Sequence, residues 1–218
     1  MKNMVYSLVV STLLLTSANA HEIWVEKNKT DAQIFFGEFV DDLKEGVNFL
    51  DRVKAENFFP KEIVKEVKRS QKSIDLVLTK DSDFMLVEAG LPRVNKRTQE
   101  SIRKISYAKS GRESTQALAN FDLVPLEKNS NTFKLLLDDK AMPNTKVTVI
   151  SPSKWEKSFY TNDQAEVTIL TPWKGTYLIE ARYEDPTKGE VDGKAYTKTI
   201  NVLTYSISVD QGIIWEGK

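Results

Sequence analysis

The sequence predicts an all-β protein made of two β domains behind an N-terminal export signal. Apolar residues come in short runs rich in β-branched and aromatic side chains. Gly, Pro, Asn and Asp interrupt these runs at short intervals. Only one stretch reads as a helix, and no parallel β-α-β pattern occurs.

The first twenty residues read as a signal peptide. Lys2 supplies the positive start, VYSLVVSTLLLT (5–16) the apolar core, and Ala18 and Ala20 the small residues a signal peptidase requires. The apolar core is too short for a stable bilayer span. Cleavage after Ala20 makes His21 the first residue of a mature chain of about 200 residues. That length suits one large or two small domains. The 218-residue chain has 31 basic and 31 acidic side chains, which argues against a nucleic-acid partner. It has no cysteine, so it has no disulfide, thiol nucleophile or thiolate metal site. The expected compartment is the periplasm.

AQIFFGEF (32–39), EIVKEVK (62–68), SIDLVLT (73–79) and FMLVEA (84–89) read as strands of an N-terminal irregular β domain, 21–118. NFLDRVKAENFF (48–59) reads as a short helix ended by Pro60. Residues 90–118 are polar and basic. They read as a long excursion with one strand at Lys104–Ala108, leading to the domain boundary. Strand-like runs then resume: FDLVPL, TFKLLL, KVTVI, KSFYT, AEVTIL, TYLIEARY and AYTKTINVLTYSISV. Tyr177, Ile179, Ala181 and Tyr183 should share one strand face, with Glu180 and Arg182 on the other. The Asp-Asp pairs at 41–42 and 138–139 read as turns. Strands at this density predict an immunoglobulin-like antiparallel sandwich over 119–218.

Thr161, Asp163, Glu166, Val167, Pro172, Gly175 and Tyr177 follow the spacing of transthyretin-like or carboxypeptidase-regulatory-like sandwich modules, and the C-terminal half resembles them. Ala165 stands where that pattern has glycine. HEIWVE, FFGEFVDDLKEG, FLDR, PSKWEK, TPWKGTYLIE and DPTKGEVDGKAY occur in order across nearly the whole mature chain. Together they resemble a family of exported bacterial proteins of undefined function, often labelled nickel-uptake-associated periplasmic proteins. The resemblance implies a periplasmic β protein linked to transition-metal handling. Relatives carry histidine in the strand before the DPTKG turn; this chain has Arg182 and Tyr183 there.

His21 is the only histidine. At a free N-terminus it offers an α-amine and ring Nδ1, which together chelate one metal ion. Both nitrogens surrender protons to a metal near neutral pH. They suit Ni(II), Co(II), Cu(II) or Zn(II). Glu22, Glu38, Asp41 and Asp42 are candidate co-ligands by neighbourhood. The bland alternative is a solvated start to the strand that follows. The acidic turn EDPTKGEVDG (184–193) lacks the dense oxygen pattern of a calcium loop and reads as a solvated hairpin. Catalysis finds no motif: no P-loop, G-x-S-x-G or H-E-x-x-H occurs. Trp24, Trp155, Trp173 and Trp215 read first as core or turn packing, and second as a glycan or partner platform. The expected function is therefore non-catalytic: binding or delivery of nickel, cobalt or copper through His21, with a membrane transporter or receptor as partner. The rival is an interaction module that binds a receptor, peptide or glycan without metal.

Overall fold

The computed structural model describes residues 21–215, so the predicted signal peptide lies outside the described residues. The first half runs β1 (Glu22–Asn28), β2 (Asp31–Glu38), β3 (Leu43–Lys44), α1 (Val47–Leu50), β4 (Phe58–Phe59), β5 (Val64–Arg69), β6 (Ile74–Leu78), β7 (Phe84–Ala89), β8 (Arg93–Val94) and β9 (Ser101–Ser110). The second runs β10 (Phe121–Pro125), β11 (Thr132–Leu137), β12 (Lys140–Ala141), β13 (Lys146–Ile150), β14 (Glu156–Tyr160), β15 (Glu166–Thr168), β16 (Gly175–Asp185), β17 (Gly189–Val191), β18 (Lys194–Tyr196) and β19 (Lys198–Val209). The all-β expectation holds. No helix among the described residues is long and apolar enough to cross a membrane.

Three sheets form layers. The central sheet has the order β14-β13-β16-β19-β9-β7-β4, with β8 beside β9. One outer sheet has the order β1-β2-β6-β5, with β3 on β2; the other has β10-β11-β12, with β15 on β11. Period-two alternation gives the central strands two faces. Met85, Tyr107, Ile179, Leu203 and Tyr205 pack against Phe121, Leu123, Phe133 and Leu135 of the second outer sheet. Phe84, Leu86 and Ala108 pack instead against Val25, Ile34, Ile74 and Leu76 of the first. Leu178 and Ile150 join Trp24, Phe35 and Phe39 in a smaller cluster on that same side. As expected, Tyr177, Ile179 and Ala181 are buried together, with Tyr183 packed beside them.

Two sequence expectations need correction. The helix over 48–59 shrinks to Val47–Leu50. Beyond it, the Arg69 guanidinium donates to the carbonyls of Val53 at 2.7 Å and Lys54 at 3.1 Å, while the Ala55 amide donates to Glu88 at 2.7 Å. These tertiary partners take the backbone groups that a longer helix would pair internally. The second correction concerns the 90–118 excursion. It contains the ten-residue β9, an interior strand that pairs parallel with β19 and antiparallel with β7. The central sheet therefore runs continuously across residue 118.

β1 is one edge of the first outer sheet, pairing within it with β2. Its outward carbonyls are not left bare. Buried Thr204 and Ser206 of β19 donate their hydroxyls to the carbonyls of Ile23 and Val25. The edge of one sheet is thereby pinned to the face of another, which manages an otherwise exposed edge. This contact fixes where His21, the residue before β1, enters the fold.

Candidate functional site

The β1–β2 ladder pairs Glu22 with Gly37, which sets His21 across from Glu38. β2 then turns through residues 39–42 and returns as β3, pairing Gly37 with Lys44 and Glu38 with Leu43. The Glu45 amide donates to the Phe36 carbonyl at 2.8 Å, bringing the Glu45 side chain back to His21. Gly37 makes the return possible. Its φ is +153°, and a Cβ there would lie 2.0 Å from the Leu43 carbonyl oxygen. The turn itself is tied to the central sheet by Lys154, whose ammonium reaches the Phe39 carbonyl and Asp42 Oδ1, both at 2.6 Å.

His21 lies between two carboxylates and two aromatic rings. Nε2 is 2.6 Å from Glu45 Oε1, while Nδ1 is 3.7 Å from Glu38 Oε1. A carboxylate oxygen only accepts, so Nε2 carries the donated proton. In the neutral ring this leaves the Nδ1 lone pair facing Glu38, at a distance too long for a hydrogen bond. The Phe36 ring is 5.5 Å away, and that of Phe49 on α1 stacks at 5.9 Å.

Of the four neighbours expected from sequence, Glu38 has an ion-pair contact with His21. Glu22 turns to the opposite face of β1, where alternation sends it. Asp42 is held by Lys154. Asp41 lies in the same turn. Glu45 escaped sequence reasoning. Its signal was the hairpin GEFVDDLKE, whose Asp-Asp turn folds Glu45 back over β2. Among the described residues, no group of three or more His, Cys, Asp or Glu side chains is gathered to hold a metal ion. A metal on His21 would need the α-amine freed by cleavage. That amine, Nδ1 and Glu38 make a nitrogen-and-oxygen donor set suited to a divalent transition metal.

Glu22 meets Glu180 of β16, and the two carboxyl groups share a hydrogen bond. Burial raises both above the usual carboxylate range, and Glu180, further raised by Glu22, is pushed up to about 10. They line a cleft of about 390 Å³ that also includes Glu38, Lys104, Lys146 and Arg182. Desolvation holds the Lys104 ammonium below its usual range, against the opposing pull of Glu22.

The tryptophans divide. Trp24 is core, 1 % exposed. Trp173 donates its amide to the Tyr177 hydroxyl at 2.8 Å and meets Trp155 edge-on at 6.4 Å. Trp155 and Trp215 are exposed, as are Ile213 and Ile214. The 184–193 segment leads into the β17–β18 hairpin, with Asp192 and Gly193 at positive φ in its turn. No protein-family model, curated protein or solved structure matches the chain.

Proposed function

We propose that the chain is an exported, periplasmic, non-catalytic accessory protein that binds or delivers a transition metal: nickel, cobalt or copper. Its primary ligand is His21 at the mature N-terminus. The observation that carries this reading is the 2.6 Å contact between His21 Nε2 and Glu45. With Nε2–H donated to Glu45, the nitrogen left free is Nδ1, the one that closes a chelate ring with the α-amine. A carboxylate that accepts from the distal nitrogen also orients the ring, as outer-shell partners of metal-bound histidine do. Glu38 then supplies an oxygen beside Nδ1. The partner consistent with this role is a membrane transporter or receptor.

The test uses mature protein exported with its own signal, with the N-terminus confirmed by mass spectrometry. Calorimetric titration with Ni(II), Co(II) and Cu(II) should give one tight site. His21→Ala and a one-residue N-terminal extension should each abolish it. Glu45→Gln should weaken it by about 10- to 100-fold. Binding indifferent to both N-terminal changes would remove the metal role. It would leave the interaction-module reading, which the exposed Trp155, Ile213, Ile214 and Trp215 favour.

A further inference from the structure

The cleft beside β1 separates its charges in a way that packing alone does not call for. Its floor is the open end of one face of the central sheet. Glu180 lies between Thr148 of β13 and Thr204 of β19. Two residues on, Arg182 shares that face and pairs with Val202. Lys146 lies one step beyond the Val147–Ala181 pair, beside Arg182. Lys104 of β9 lies opposite Ile200 in the next row. β1 brings Glu22 over Glu180 from above. The acid end is thus half-buried where the first outer sheet covers the face, and the exposed basic end lies where that cover stops.

The two carboxyl groups hydrogen-bond to each other although three cations line the same cleft. No salt bridge reaches Lys104 or Lys146 among the described residues, and Arg182 pairs only with exposed Glu184, at 3.3 Å. Two half-buried carboxyl groups thus stand side by side in the cleft, and three exposed cations stand at its rim, free to meet a ligand of both charges. The volume falls within the range of small-molecule sites. Phe39 and Val40 supply an apolar wall.

We propose that this cleft binds a small zwitterion, an amino acid or short peptide, with its ammonium on Glu22 and Glu180 and its carboxylate on Lys104, Lys146 and Arg182. The site is distinct from the His21 nitrogens and borders them only through Glu38, which lines the cleft and faces Nδ1. It does not depend on the metal reading.

The test is a calorimetric titration with glycylglycine, N-acetylglycylglycine, glycylglycinamide and L-alanine, in buffer containing a chelator so that no metal mediates. Saturable binding of glycylglycine or L-alanine below about 10 mM is expected, and which of the two binds tighter assigns the peptide or the amino acid. Blocking either end of the dipeptide should weaken binding at least about tenfold, as should Glu180→Gln and Lys146→Ala. Circular dichroism of Glu180→Gln establishes that the variant is folded, so a loss there reports the site. The proposal fails if neither zwitterion saturates. It fails equally if the acetylated dipeptide binds as well as the free one, or if Glu180→Gln binds like the parent.

Discussion

The two faces of the central sheet handle buried charge in opposite ways. Toward the second outer sheet, the apolar layer contains one ion pair, Lys109 with Asp122, both fully buried and 2.7 Å apart. Every polar atom of that pair has work: Lys109 also donates to the Leu123 carbonyl at 3.1 Å, and Asp122 accepts the Leu118 amide at 2.9 Å. Toward the first outer sheet, the charged pair is Glu22 with Glu180, two acids that must share a proton. A matched, saturated pair is what a stable fold tolerates. A like-charge pair bordering a cleft is what a binding site maintains. One face is sealed against charge, while the other keeps half-buried carboxyl groups beside an open cleft.

The sharpest way to break this comparison is on the scaffold face. Asp122→Ala leaves the Lys109 ammonium buried without its partner. The expected loss is about 3–5 kcal/mol, read from urea unfolding. The double substitution Lys109→Met with Asp122→Leu should recover most of it, because no charge then stays buried. If the single substitution proves mild, the pair is not the sealed element described here.

The opposite sign is expected on the other face. Glu180→Gln removes a carboxyl that folding holds protonated but keeps a donor for Glu22. The folded-state value is raised to about 10 from an ordinary 4.5, so the folded state binds the extra proton between those limits. The stability that Glu180 contributes is whole below pH 4.5 and drains away as pH rises toward 10. Glu180→Gln lacks that drain. It should therefore match the parent near pH 4 and exceed it at pH 8 by about 1–3 kcal/mol, with Tm rising ~2–4 °C per kcal/mol. A variant less stable than its parent at pH 8 would mean that Glu180 is satisfied like Asp122 and that the two faces do not differ.

How much of this could be read from the sequence follows the same division. The scaffold face was legible wherever apolar alternation was clean, as in Tyr177, Ile179 and Ala181. β9 was legible only over Lys104–Ala108, because Lys104, Ser106 and Lys109 break its apolar alternation. Two of them have a local reason: Lys109 has Asp122, and Lys104 faces the cleft. A strand interrupted by polar residues shows its full length only once its partners are known. His21 stood out because it is the only histidine. Glu45 and Glu180 did not, because only strand register brings them to β1, and register is a tertiary property. The short helix failed for a similar reason: the acceptors that ended it are bound by Arg69, distant in sequence.

The smallest expected effect tests the scaffold face at a turn. Ala165 occupies the place where the transthyretin-like pattern has glycine, and the backbone there adopts φ +64°. An L-residue in that region is disfavoured by roughly 1–2 kcal/mol. Asn162 compensates: its side-chain carbonyl accepts the amides of Gln164 at 3.0 Å and Glu166 at 2.8 Å. The Ala165 methyl is also fully buried, which is worth about 0.8 kcal/mol. Ala165→Gly relieves the backbone but gives up that burial and frees the unfolded chain by about 0.5–1 kcal/mol. These terms nearly cancel, so the unfolding midpoint should move by less than about 0.5 kcal/mol. A gain well above that would mean the turn is held under strain rather than shaped by Asn162. A clear loss would mean the buried methyl matters more than the conformation the pattern assigns to glycine.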